Sequence, residues 1–247
     1  MKIAILYLTH IISNTIIENF KKLRLESGCD TFLVHTVDEL SNFGIYYSEE
    51  ETINMLGLKT MTGENKLFPG SMNFIMYRFY KEHPEYDYYW FIEYDVVFTG
   101  NWGWFIENTT KDFKNYDFVS SHIERWNETS GWYWWNKNNY LDVPREQQLK
   151  SFNPVCRYSK TALDTLISWN KDKVAHFEVL VPTCLYKYSL SIADLGGDNE
   201  FTLPGLRNKY YLDNKTESND GTIRWRPNYN KSECIALNKL YHPIKSI

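Results

Sequence analysis

Glu93 and Asp95 stand where the apolar run Tyr88-Tyr89-Trp90-Phe91-Ile92 ends, and a second apolar stretch, Val96-Val97-Phe98, follows them. A run with almost no polar content predicts a strand buried on both faces. If the extended geometry continues through Tyr94, acids two residues apart project to the same side. Two carboxylates delivered by a buried strand are costly unless a cation meets them. A divalent metal with oxygen ligands is the simplest such cation. The same pair could instead sit at a solvated strand end.

Three other places carry side chains suited to chemistry. In Ala175-His176-Phe177-Glu178-Val179-Leu180 an acid falls at an expected helix start within apolar surroundings. That setting raises a carboxyl pKa and suits a general base; it equally suits an acid that complements the helix dipole. In Gly131-Trp132-Tyr133-Trp134-Trp135 the rings lack helical periodicity, in an Asn-rich context. Trp132, Trp134 and Trp135 could stack on an acceptor sugar or close an edge of the sheet. Near the end, His242 in Tyr241-His242-Pro243-Ile244-Lys245 reads by itself as a tail histidine without a partner.

The elements that must position these groups read as alternating strands and helices. Ile3 to Leu8 is an apolar strand, Ser13 caps a helix with Ile16, Ile17, Phe20 and Leu23 on one face, and Gly28 ends it. A second strand, Thr31 to Val37, completes a β-α-β unit with a right-handed crossover. Ligands of such sheets bind beyond the carboxyl ends of the strands. Those ends carry Thr9 and His10, then His35, Thr36 and Asp38, and both histidines also read as ordinary loop residues. No Gly-x-Gly-x-x-Gly is present, which disfavours the usual dinucleotide fold. Residues 41–70 are irregular; Lys66 there could reach an anionic ligand, or be solvated. Ser71 is expected to cap a helix carrying Met72, Ile75, Met76 and Phe79, stopped by His83-Pro84. Further strands are expected at 117–122, 152–157 and 191–195, with a helix opened by Ser159.

Glu93-Tyr94-Asp95 after a buried strand, followed by Gly100-Asn101-Trp102-Gly103, resembles the acid-x-acid motif of GT-A glycosyltransferases. More narrowly it resembles bacterial enzymes that build surface polysaccharides. The resemblance implies an α/β fold, a GT-A type single domain over 1–247 with a Rossmann-like mixed central sheet flanked by helices. Residues 1–100 would bind the nucleotide-sugar, and 101–247 the acceptor, with a C-terminal tail. It implies Mn²⁺ or Mg²⁺ held by Asp95, with Glu93 beside it and His242 returning as a late ligand. It gives the nucleotide-sugar to Thr9, Thr36, Asp38, Lys66 and Tyr94. Glu178 becomes the general base of an inverting transfer. The implied partners are a nucleotide-sugar donor and a glycan or lipid-linked glycan acceptor. A sugar-1-phosphate nucleotidyltransferase and a non-catalytic glycan-binding module stay open as alternatives, although the former calls for a Gly-rich basic loop where Thr9-His10-Ile11-Ile12-Ser13 stands.

Composition narrows the classes. The 247 residues suffice for one full core. Aromatics are 17%, with nine Trp and nineteen Tyr, enough for both a core and sugar-stacking platforms. The net charge of −4 argues against general nucleic-acid binding. From Leu206 onward eight Lys/Arg meet four Asp/Glu, so this segment is +4 and the remainder −8. Such a basic tail could face a diphosphate, an anionic membrane surface, or only solvent. Four cysteines without Cys-x-x-Cys spacing read as free thiols of a reducing compartment. The short apolar N-terminus reads as a strand and not as a leader, and no run approaches the ~18 apolar residues of a membrane span. These features set the expected location as cytoplasmic, with peripheral contact at the inner membrane face as one option.

Overall fold

The computed structural model describes residues 1–137, 139–213 and 221–244. Lys245, which follows the His242 turn, lies outside them. A seven-stranded sheet runs through the centre in the order β3-β2-β1-β4-β7-β6-β8. Its strands are β1 (Ile3–Thr9), β2 (Asp30–His35), β3 (Ile45–Tyr46), β4 (Tyr88–Glu93), β6 (Phe118–Arg125), β7 (Leu149–Ser159) and β8 (Ile192–Asp194). β7 is antiparallel to both its neighbours, and the other pairs are parallel. The expected mixed α/β architecture is therefore present. The carboxyl ends of β1, β2 and β4 share one edge of the sheet, and the amino end of β7 comes to the same edge.

The pleat explains why β1 and β4 are apolar throughout. Ala4, Leu6, Leu8, Tyr89 and Phe91 enter one core, and Ile3, Ile5, Tyr7, Trp90 and Ile92 enter the other. The first core is closed by α3 (Asn73–Glu82), α5 (Lys160–Trp169) and α6 (Phe177–Lys187), with α2 (Glu49–Leu56) at its rim. The second is closed by α1 (Asn14–Ser27) and α4 (Trp102–Asp112). By the same alternation Glu93 takes the Phe91 face, the one that α6 covers.

Local signals account for most boundaries. Ser13 Oγ accepts the Ile16 amide, Ser159 Oγ accepts that of Ala162, and Gly28 closes α1 in the left-handed region at φ 66°. Ser71 departs from expectation. Its hydroxyl accepts the Met61 amide at 2.9 Å, and α3 starts after Met72 without a side-chain cap. Ser71 instead anchors the 60s loop. A second sheet of two short strands, β5 (Val97–Phe98) and β9 (Leu240–Tyr241), pairs antiparallel, Val97 opposite Tyr241. This pairing carries the last part of the chain back to the carboxyl end of β4. No helix among the described residues is long and apolar enough to cross a membrane.

Candidate functional site

β4 ends at Glu93, and the two acids do not share a side by strand alternation as expected. Tyr94-Asp95 form a turn closed by the Val96 amide on the Glu93 carbonyl at 3.0 Å. The Tyr94 amide still reaches the Leu8 carbonyl at 2.9 Å, and the Tyr7 hydroxyl donates to the Tyr94 carbonyl at 2.9 Å. This fixes the turn on β1. The Ile244 amide donates to the Asp95 carbonyl at 3.0 Å from the returning chain.

His242, directly after β9, is thereby set against both acids. Its Nε2 lies 3.6 Å from Glu93 Oε2 and 3.5 Å from Asp95 Oδ1. Its Nδ1 is 2.9 Å from the Arg224 carbonyl, an acceptor only, so Nδ1 carries a proton and donates there. Phe152 packs edge-on against the imidazole at 5.3 Å. Burial opposes a charged imidazole, but Asp95 and Glu93 together outweigh it and raise the His242 pKa to about 9.

These residues fit a divalent metal. One donor atom from each of Glu93, Asp95 and His242 lies within 4.8 Å of the others. Asp95 is buried, and its Oδ1 has no hydrogen-bond partner although His242 stands near. A buried carboxylate oxygen without a hydrogen bond is costly; the imidazole 3.5 Å away offsets that in part, and a cation between the three groups would do so fully. The Arg224 carbonyl orients the imidazole through its far nitrogen, the arrangement found behind metal-bound histidines. Two carboxylates and one imidazole suit Mn²⁺ or Mg²⁺.

Glu178 opens α6 on the same side. His176 caps that helix, its Nδ1 accepting the Glu178 amide at 3.4 Å. Close packing brings the cap there: the Phe177 amide donates to the Gly70 carbonyl at 2.8 Å, and a Cβ on Gly70 would meet Met61 Sδ at 2.4 Å and the His176 ring at 3.1 Å. Glu178 Oε1 accepts the Asn153 amide at 3.2 Å, and Oε2 lies 3.6 Å from His176 Nδ1. Burial pushes the Glu178 carboxyl up to about 8; the Asn153 amide opposes this, the Glu93 charge adds to it, and Lys150 and His242 oppose it. Glu178 is thus electrostatically tied to the acid and histidine cluster. Burial holds His176 down at about 3, so it is neutral there.

The tryptophans divide. Trp134 stacks on His176 at 4.3 Å and 20°, and Trp132 meets the same ring edge-on at 6.0 Å. Both are half-buried. Trp135 corrects the acceptor expectation: it is fully buried, and its indole N–H donates to the Thr129 carbonyl at 2.8 Å. Neighbours in sequence part because the tight helical turn Tyr133–Asn136 points each ring in a different direction.

The expected nucleotide-sugar residues are spread more widely. Thr9 corrects one expectation, because it is buried and its hydroxyl is already engaged with both the amide and the carbonyl of Ile11. The Tyr94 side chain is buried too, packed edge-on against His10 at 4.9 Å, so it serves the core. Thr36 is half-buried and Asp38 exposed at the end of β2. Lys66 is exposed in the loop that the Leu67 amide ties to Glu49 of α2 at 3.0 Å. Of the two strand-end histidines, His10 is exposed, while His35 is buried and bonded to the Val37 carbonyl at 3.0 Å.

Sequence reasoning missed His176, Asn153 and the pair Lys150–Glu124, 2.5 Å apart across β7 and β6, with the Lys150 ammonium 5.5 Å over the Trp132 ring. His176 sits at the helix start already flagged for Glu178. Lys150 and Glu124 carry no local signal, since only strand pairing brings them together. A surface groove of about 690 Å³ lined by Lys59, Met61, Asn65, Tyr140 and Asp172 holds none of the clustered groups.

Fold and site define an α/β protein with an acid, acid and histidine centre at the carboxyl edge of its sheet. No protein-family model matches the chain, and no curated protein matches it. Among solved structures it is similar to a glycosyltransferase involved in the glycosylation of the major capsid of PBCV-1, at 10% identity over 78% of this chain and 82% of that one, TM-score 0.39. It is also similar to glucosyl-3-phosphoglycerate synthase from Mycobacterium tuberculosis, solved with Mn²⁺, UDP and phosphoglyceric acid, at 12% identity over 78% and 67%, TM-score 0.44. A third is a Bacillus anthracis protein provisionally named as a glucose-1-phosphate thymidylyltransferase, at 9% identity over 79% and 87%, TM-score 0.42. These likenesses are distant, and no residue role follows from them.

Proposed function

We propose that this chain is a metal-dependent GT-A type glycosyltransferase, moving a sugar from a nucleotide-diphosphate donor to a glycan acceptor in bacterial surface polysaccharide synthesis at the cytoplasmic side. The observation that carries the reading is the meeting of the Glu93–Asp95 pair with His242, which is far from both in sequence, around an Asp95 oxygen without a hydrogen-bond partner. When bound there, Mn²⁺ or Mg²⁺ supplies Lewis acidity toward a departing diphosphate. Asp95 and His242 are the principal ligands and Glu93, the most open of the three, the adjustable one. Thr36 and Asp38, beyond β2, would contact the nucleoside, and Lys66, exposed in its loop, the donor phosphate. Residues 1–100 form the donor half and 101–247 the acceptor half.

Glu178 takes the acceptor proton. Its raised pKa makes it a stronger base than an ordinary carboxylate once ionised, and a base opposite the leaving group gives inversion. Trp132 and Trp134 provide the acceptor platform beside it. The short connection His10-Ile11-Ile12-Ser13 after β1 has no Lys, Arg or Gly, which weighs against nucleotidyl transfer. A glycan-binding module has no need of the buried acid and histidine cluster.

The test is a panel of nucleotide-sugars incubated with the chain and Mn²⁺, read by NMR of released nucleotide and of the product's anomeric proton. Metal-dependent cleavage of one donor with inversion at the anomeric carbon is expected. Glu178→Gln should slow transfer by roughly 10²–10⁴-fold. A panel in which no donor is cleaved, in water or with saccharide acceptors, overturns the reading; retention removes Glu178 as base.

A further inference from the structure

The segment 225–239 combines exposed apolar and basic side chains on one cap of the molecule. Trp225 is 65%, Ile235 85% and Leu237 72% exposed, although residues of this size are normally covered. The backbone beneath them is held firmly. The Arg224 amide donates to the His242 carbonyl at 3.1 Å, and the Tyr229 amide to that of Pro243 at 2.8 Å. The Ala236 amide donates to the Tyr241 hydroxyl at 3.0 Å, and its carbonyl accepts from the Thr99 hydroxyl at 2.6 Å. With Ala236 turned inward, the flanking Ile235 and Leu237 are turned out. Arg224 is buried over the Tyr229 ring at 3.7 Å, which leaves the next residue, Trp225, facing solvent.

Charge on this cap is mainly positive. Residues 221–244 contain Arg224, Arg226, Lys231 and Lys239 against Glu233, so four positive and one negative, +3. Arg226 and Lys231 are exposed. Lys22 of α1 joins them, its ammonium 3.4 Å from the Gly100 carbonyl, and Gly100 itself packs against Asn238 beside Leu237. Exposed Trp, Ile and Leu in a segment that also exposes Arg and Lys match a surface that is apolar within and anionic at its boundary. A soluble acidic partner would use the charges and leave the three apolar side chains without a role.

We propose that this cap docks the protein on an anionic lipid bilayer, with Trp225, Ile235 and Leu237 entering the headgroup boundary and Lys22, Arg226 and Lys231 facing the lipid charges. The inference stands apart from the transferase reading, because vesicle binding needs neither donor nor metal. Its consequence is positional: the segment that carries Trp225 also supplies the Arg224 carbonyl behind His242, so a docked cap sets the acid and histidine centre beside the membrane.

The experiment is sedimentation of the full chain with vesicles of phosphatidylcholine alone or mixed with phosphatidylglycerol. Binding to the mixed vesicles, weakening as salt rises, is expected, with little binding to phosphatidylcholine. Arg226→Gln and Lys231→Gln should each weaken binding about fivefold. A Trp225→Ser, Leu237→Ser variant should lose it while its melting temperature stays that of the wild type. Tryptophan quenching by bromine-labelled acyl chains should occur in the wild type and fall in Trp225→Phe. The proposal is overturned if the wild type ignores phosphatidylglycerol vesicles or if the serine variant binds as well as the wild type. It is equally overturned if the chain forms dimers that the serine variant abolishes while vesicle binding is absent, since the cap then covers a second copy.

Discussion

Replacing Glu178 by Gln tests whether this carboxyl is held in a low-dielectric place. The Asn153 amide bond can be kept, because Gln offers the same oxygen. Burial raises the carboxyl from its ordinary 4.5 to about 8. A raised folded pKa means that the folded state holds the proton more tightly than the unfolded chain does. The associated stability is fully present below pH 4.5 and is lost as pH rises through about 8. The wild type therefore loses about 1 kcal/mol by pH 5 and about 3 kcal/mol by pH 7 on this group's account, and Gln loses none. Urea unfolding of both proteins without metal, at pH 5, 6 and 7, reads the difference directly. Glu178→Gln should gain on the wild type by about 2 kcal/mol between pH 5 and 7. A gap that does not change with pH would show that Glu178 ionises normally, and the case for a poised base would fail with it.

The remaining predictions concern neighbouring groups. Turnover of the wild type should rise with pH as Glu178 ionises, half-maximal near pH 8 and level above it at low metal occupancy, with the limb moving to lower pH as Mn²⁺ is raised; a flat profile removes Glu178 from the rate. Trp135→Ala should cost about 3–5 kcal/mol in urea unfolding, as for other fully buried rings, whereas Trp134→Ala should raise the acceptor KM with little loss of stability. Equal destabilisation by both would erase the distinction drawn between them. Asp194 accepts from the Ile123, Gly196 and Gly197 amides, the Asn199 side chain and the Tyr211 hydroxyl. Asp194→Asn should therefore lower stability by about 2 kcal/mol or more without selectively weakening metal binding; selective loss of metal would place Asp194 in the site.

Much of the scaffold could be read from local signals. β1 and β4 announce themselves because both faces are covered, so their apolar runs are continuous. Ser13 and Ser159 cap where hydroxyls precede periodic apolar residues. Ser71 has the same local pattern and does something else, because a tertiary partner, the Met61 amide, outcompetes the helix end. The helix α2 was hidden in the irregular 41–70 stretch, although Ser48 followed by Glu49, Glu50 and Glu51 is a helix-start signature. α4 follows a legible Asn101 cap, but its first turn contains Gly103 and two tryptophans. The acid pair was visible as chemistry, yet its geometry comes from a turn that the apolar run does not foretell. His242 reaches the centre through β5 and β9, two residues each and paired across most of the chain, which no local pattern encodes. Trp134 and Trp135 are alike in sequence and are separated only by the direction of one tight turn.

The central claim is that Glu93, Asp95 and His242 hold a divalent cation that in turn holds a nucleoside diphosphate. Calorimetry of UDP, GDP, CDP and dTDP against the wild type, with Mn²⁺ and with a chelator, tests it most directly. One of these nucleotides should bind with Mn²⁺ present, its binding should vanish with the chelator, and Asp95→Asn and His242→Ala should each lose it while melting as cooperatively as the wild type. Nucleotide affinity that is the same with and without metal, or that survives both substitutions, would contradict the account.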